Sequence, residues 1–335
     1  MKNSNNNIVL YLILLLFSVF SNICYFNNAR SEEIADSGCF PVKISEKWGY
    51  IDKSGDIVIE PSYEAAYRFS DGLALVKIDN KWGYIDKSGN IAIRPVFNEA
   101  HRFSDGLAHF KKGEKYGFIN TSGDIVVQPK YDEVMPFSQG LAAVKYGLEW
   151  GYINKDGDWA IEPRYDYAYP FSDDYALVLS GLKAGFINKN GKFLVKPVFE
   201  RAEGFSDGLA AVVFEGQYAF INTDAKMVLI PGVDEARHFS EGYAAVTVDG
   251  KQGFIGMDGK ILIEPEFQKV GDFSNGLAPV KFDEKWGYID KDGKIMISLQ
   301  YKSVSGFDDG LALVEFSKDN WGYIDKEGKV VWKYD

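Results

Sequence analysis

Histidine and cysteine are nearly missing from this chain, at three and two residues among 335. The histidines, His101, His109 and His238, share no metal-ligand spacing such as H-x-x-x-H, and each is read as a structural side chain. Cys24 sits in an N-terminal apolar region. If that region is removed only Cys39 remains, which excludes an intramolecular disulfide and a four-cysteine zinc site. No G-x-S-x-G, Walker loop or G-x-G-x-x-G occurs. A non-enzyme with no cofactor and no metal is therefore expected.

Basic charge is also short, with 37 Lys and Arg against 48 Asp and Glu. Such a surface repels phosphate backbones, so no nucleic-acid partner is expected. Long apolar runs are confined to Ile8–Phe20, apolar apart from Ser18 and preceded by a single charge, Lys2. At about 1.5 Å per residue this stretch is short for a roughly 30 Å hydrocarbon core and fits the apolar region of a signal peptide. Residues 1–29 are read as that signal, with cleavage after Ser21 or Ala29, and 30–39 as a short linker. An uncleaved anchor reaching Phe26, or a lipid on Cys24, is the competing reading, and either would attach the chain to a membrane. Export to the periplasm, cell surface or medium is expected.

What the chain has in abundance is repetition. KWGYIDKSG stands at 47–55 and again at 81–89, and KWGYIDKDG at 285–293. Aligned on the residue before that Gly, anchors fall at 48, 82, 116, 150, 184, 218, 252, 286 and 321, across residues 40–335. Ile stands three positions after every anchor (Ile51 in the first unit), and Tyr or Phe two after it. A second block, FSDGLA, ends each full unit, as at Phe69–Ala74 with Gly72, and its Phe is present eight times in eight. A period of 34 residues also belongs to helical arrays. Fixed glycines, and a Pro thirteen residues after most anchors (Pro61 in the first unit), leave no window with helical periodicity.

The apolar positions come in short runs rich in Ile, Val, Tyr and Phe, which is strand chemistry. Trp48–Asp52 and Asp56–Glu60 read as a hairpin turning at Gly55, and Leu73–Ile78 as a third strand. Pro61–Gly72 links to the next unit, with room for a fourth strand around Tyr63. Gly49 removes a side chain where the next unit's backbone or a ring packs closely. The expected fold is all-β: nine three-stranded antiparallel meanders of about 34 residues in an open, curved solenoid. Cys39–Trp48 and Trp332–Asp335 would be its caps. The alternative is a propeller-like ring. No split unit marks a shared blade, and nine exceeds the usual four to eight blades.

These residues resemble the WG-repeat (KWG) family of bacterial proteins, through Trp48-Gly49, WGYIDxxG, the Pro step and FSDGLA in order. The resemblance implies an envelope-associated or secreted interaction scaffold without catalytic residues. Units five to seven depart, with Ala184, Tyr218 and Gln252 at the anchor and Ala219 for Gly, while the register holds. Trp48, Gly49, Ile51, Gly55, Pro61, Phe69, Gly72 and Ala74 are assigned structural roles.

The repeated Asp of FSDG (Asp71, Asp105, Asp207) is read as turn chemistry bonding local backbone rather than as a calcium ladder. Asn154–Asp158 is read as a hairpin turn. Function is expected where copies disagree, and four aromatics, Trp150, Trp159, Tyr167 and Tyr169, form the candidate ligand patch. A protein partner is expected, with a polysaccharide on that patch as the alternative.

Overall fold

The computed structural model describes residues 38–334, and every named element in it is a strand. The signal region, its cleavage sites and Cys24 lie outside the described residues. The strands form nine antiparallel sheets, each hydrogen-bonded in chain order. Blade 1 has three described strands, Phe40–Ile44, Lys47–Ile51 and Ile57–Tyr63. Each of the other eight has four; in blade 3 they are Glu99–Ala100, Leu107–Lys112, Lys115–Asn120 and Ile125–Tyr131.

The hairpin forms as its residues dictate. Gly55 sits at φ +92° and donates its N–H to Asp52 O, while the Asp52 carboxylate accepts from the N–H groups of Ser54 and Asp56. Gly supplies the left-handed residue here without a Cβ penalty. Ala225, the exception, holds the same conformation at φ +61°.

Gly49 and Pro61 turn out to be coupled. The outer strand bulges between Ile59 and Tyr63, and a Cβ on Gly49 would stand 2.5 Å from Ile59 O and 2.7 Å from Pro61 N. The close approach comes from the unit's own outer strand, not from the next unit as expected. Pro is tolerated because the bulge takes its nitrogen out of the ladder. Tyr63 ends this outer strand, and the additional strand lies beyond it, at Ala65–Ser70, as the first strand of the next blade. The unit is therefore a four-stranded blade rather than a three-stranded meander. Its first strand pairs at only two residues in blade 3, Glu99↔Lys111 and Ala100↔Phe110, too few to leave an alternating pattern in sequence.

The core lies between blades. The aromatic ring two residues after each anchor packs on the Phe of the next unit's FSDG block, with centroids 4.7–5.2 Å apart at eight junctions. The Ile three residues after the anchor is at most 2% exposed in all nine blades, and Ala74 is fully buried. Burying such side chains is worth about 1.5–3 kcal/mol each, which a lone blade could not realise.

The expected open solenoid is not what forms. Blade 1 packs against blade 9, and the two expected caps meet there in one cluster with Phe40, Val42, Ile51, Leu311, Tyr323 and Trp332. Phe40 stands where the later units carry Ala, and its ring lies 5.4 Å from Tyr323, supplying the ninth aromatic pair. Tyr323 donates its hydroxyl to Pro41 O, and the Arg68 guanidinium covers Phe40 at 4.1 Å while pairing with Asp308 at 3.3 Å. The chain closes as a nine-bladed propeller. Turn-to-turn bonds and side-chain packing make the closure among the described residues, so no split unit is written in the sequence.

FSDG is the stitching of that ring. Asp105 Oδ2 accepts from Gly140 N at 2.5 Å, one unit on, and Asp207 from Gly242 N at 2.8 Å. The series closes with Asp309 accepting from Gly38 N at 2.8 Å. These aspartates serve a turn, as expected, yet they bond the neighbouring unit rather than local backbone. The Ser before them acts likewise, Ser104 Oγ donating to Phe137 O at 2.7 Å.

Candidate functional site

At or just past the first strands of blades 6, 7 and 8, neighbouring blades bond one another, His238 to Glu203 and Arg237 to Val270 O, while the bulged fourth strands alternate buried with exposed residues, which puts the first strands on the axis of the ring and the fourth strands on its rim. Each described first strand shifts register at the same point, within the strand in blades 2, 5 and 7 and just past its end in the others. In blade 2, Ala66 pairs with Val76 and Phe69 with Ala74, so Tyr67 and Arg68 together oppose one residue. Blades 5 and 7 show the same shift. A bulge frees two side chains from the ladder and re-aims them. At these two positions no residue pair recurs: Tyr-Arg, His-Arg, Met-Pro, Tyr-Pro, Glu-Gly, Arg-His, Gly-Asp and Ser-Gly follow around the ring.

The axial wall thus divides into sectors of different chemistry. In blades 2 and 3, Tyr67 and His101 are exposed, and Arg68 is committed to the seam. His101 stacks on His109 with centroids 3.9 Å apart. Burial pushes the His109 imidazole well below its ordinary range, with His101 adding to the shift. Burial also lowers His101, against an opposing hydrogen bond from Glu99. The pair is therefore neutral near pH 7. Blades 4 and 5 contribute Pro136, Tyr169 and Pro170, an apolar sector, with Met135 buried in the core behind them.

Blades 6 to 8 carry a charged clasp. His238 is 8% exposed; its Nδ1 lies 3.3 Å from Glu203 of the preceding blade, and its Nε2 lies 3.2 Å from Asp272 of the next. The His238 backbone N–H also donates to Glu203, and Arg237 Nη2 donates to Val270 O. Burial alone would lower the imidazole, but hydrogen bonds to Asp272 and Glu203, and their charges, outweigh it and raise the pKa to about 10. With a carboxylate at each ring nitrogen, both nitrogens donate and the ring is an imidazolium. Among the described residues no group of three or more His, Cys, Asp or Glu is arranged to hold a metal ion.

The four aromatics singled out in the sequence do not form one surface. Trp150 is 1% exposed and lies under Tyr167 at 4.9 Å, with Tyr169 against Tyr167 at 4.9 Å. Tyr167 and Tyr169 belong to the first strand of blade 5, and Tyr169 is one of its two bulged residues. Trp159 lies apart, edge-on to Tyr131 at 5.7 Å and near Tyr146 at 6.3 Å. Sequence reasoning missed the bulged pairs as a set. Their signal was available: two adjacent positions without a consensus, immediately before an invariant Phe.

A family model described as "WG containing repeat" matches residues 48–82, 82–116, 116–147, 150–181, 185–218, 218–251, 253–286 and 286–318. No curated protein matches the sequence. Among solved structures the chain is similar to a eukaryotic initiation factor, with a TM-score of 0.61 and 12% identity over 90% of this chain and 98% of that one. BamB from Moraxella catarrhalis aligns at a TM-score of 0.43 and 12% identity over 78% of this chain and 90% of its own. PorZ of Porphyromonas gingivalis aligns at 0.34 and 11% identity over 91% of this chain and 53% of its own. At these identities the likeness speaks to fold alone.

Proposed function

The chain belongs to the WG-containing-repeat family, and from its closed ring of nine blades we propose that it is an exported, non-catalytic scaffold that binds a protein partner at the axial face. The observation that carries this reading is the set of bulged first-strand pairs. The positions that build the ring repeat almost without exception, and the axis-facing pairs repeat nowhere. A repeat array uses its invariant residues for stacking and its variable ones for contact. Three neighbouring sectors, aromatic with neutral imidazole, apolar and charged, offer a directional surface that one extended or looped protein segment can read in register. Sequence matches to catalytic motifs play no part in this reading.

The test is site-specific photocrosslinking in the native cell from position 67 or 101, with position 257 on an outer hairpin turn as control. A discrete protein adduct from 67 or 101 alone supports the proposal. Adducts only from 257, or none from any position, would sink it.

A polysaccharide is the second reading, and Tyr146, 56% exposed beside Trp159, is what favours it. The rings meet edge-on at 71° rather than as a flat platform, so sugar stacking would use one face of Tyr146. A polysaccharide pull-down unchanged by Tyr146→Ala and Trp159→Ala removes this reading.

A further inference from the structure

The hairpin turns joining the second and third strands lie at one end of the ring, where the crossover residues cap them. Gly147 N donates to Asp132 at 3.0 Å and Gly181 N to Asp166 at 2.6 Å. The residue at the tip is polar or glycine in seven blades: Glu46, Asn80, Glu114, Gly216, Gly250, Glu284 and Asp319. In the adjacent blades 4 and 5 it is Leu148, 89% exposed, and Leu182, 66% exposed. Each follows a Gly held at positive φ (+71° and +63°) and tied to a crossover carboxylate, so both tips are rigid and protruding. Tyr146, 56% exposed, flanks the first.

We propose that these tips dock the propeller on a lipid surface, face on, with blades 4 and 5 entering the headgroup region. Two separate convex tips, with no groove described between them, suit a fluid interface, which needs no matching shape. Leu with a flanking Tyr is the composition that favours the boundary between headgroups and acyl chains. Charge supports the orientation. At the opposite end of the ring, six of the eight FSDG-type turns place a carboxylate at the site of Asp71. At the Leu148 end, six of the nine third strands begin with Lys, among them Lys115, Lys183 and Lys251. The turns at that end also carry Glu46, Asp79, Glu114, Glu215, Asp249, Asp283, Glu284 and Asp319, so the near face is close to balanced in charge and an anionic membrane repels it less than the far one. Lys145 and Lys183 pair with Glu133 and Glu200 at 2.6 and 2.7 Å, within reach of competing phosphates, while Glu149 beside Leu148 opposes them. The axial wall stays open to a protein partner, and the docking is separate from any attachment through residues 1–29.

The test uses the full chain with Cys24 and Cys39 changed to Ser and one fluorophore-labelled cysteine, at Leu148→Cys, Leu182→Cys or, as opposite-end control, Met257→Cys. The probe is a vesicle of phosphatidylethanolamine and phosphatidylglycerol with brominated acyl chains. Quenching at least twofold at 148 and 182, with little at 257, is expected. A label at Tyr146→Cys should lose its quenching in a Leu148→Asp, Leu182→Asp background. Equal quenching at 148 and 257, as attachment through the N-terminal region alone would give, overturns the proposal. So does a spectral shift at 148 with a membrane-free protein extract but none with vesicles, which would make the tips a protein contact.

Discussion

Replacing Gly253 by Ala in the third strand of blade 7 probes the pairing of Gly with the bulged outer strand. The new Cβ would stand 2.4 Å from Ile263 O, 2.7 Å from Pro265 N and 2.8 Å from the Glu264 carbonyl carbon. All three obstacles are backbone, so no rotamer change relieves them, and the bulge must move. Overpacking of this kind costs about 1–3 kcal/mol, and backbone obstacles put it at the upper end. Ala otherwise gains about 0.5–1 kcal/mol over Gly in a strand, which leaves a net loss of about 2 kcal/mol. Blade 6 supplies the natural control. Ala219 occupies the same place, and its outer strand pairs without a register shift, Ala219↔Leu229, Phe220↔Val228 and Ile221↔Met227. Ala219→Gly relieves no clash and should therefore cost about 1–2 kcal/mol, from backbone entropy and the loss of a buried methyl. Urea unfolding followed by tryptophan fluorescence measures both, with the shift in midpoint multiplied by the measured m-value. A Gly253→Ala protein as stable as the parent would refute the steric argument. A gain in stability on Ala219→Gly, as relief of a clash would give, would refute the role of the bulge.

Three further outcomes are expected. Asp105→Ala loses the bonds to Gly140 N and Lys155 and places Ala at φ +56°, so about 1–2 kcal/mol should disappear in urea unfolding. Asp105→Asn should retain most of it, as Asn275 does naturally in accepting from Gly310 N at 3.0 Å. Phe40→Ala should cost about 3–5 kcal/mol and raise proteolytic nicking near the seam, because it removes the ninth aromatic pair; limited proteolysis with no change at the seam would count against the closure described. His238 has a folded-state pKa raised from 6.5 to about 10, so its contribution is complete below about pH 6.5 and is lost as pH rises through 10. The stability advantage of the parent over His238→Gln should shrink by up to about 1.4 kcal/mol per pH unit across that window, and an advantage constant from pH 7 to 10 would contradict the imidazolium.

The repeat made most of the fold legible. Ile51 and its counterparts, the hairpin at Gly55 and the Phe of FSDG are fixed by local chemistry repeated nine times or nearly so, and each lies where that chemistry requires. Trp48 is replaceable because it is only half-buried, opposite Tyr63 at the blade's edge, whereas Ile51 is enclosed. The axial pairs were harder to read. Tyr67-Arg68 and Arg237-His238 sit in short, bulged strands whose ladders leave no periodicity, and their partners come from other units. Glu203, His238 and Asp272 are spaced along the chain by 35 and 34 residues, a separation that spells a cluster only if the units stack side by side.

By itself the sequence determined the unit: its period, its strands and turns, and its enclosed residues, because these depend on backbone preference and on burial repeated at fixed spacing. Only the tertiary structure decided that nine such units close. Closure depends on the angle between neighbouring blades summed around the ring, a quantity no single unit encodes. It also decided which residues face the axis, since a bulge of one residue, not composition, turns Tyr67 and His238 inward.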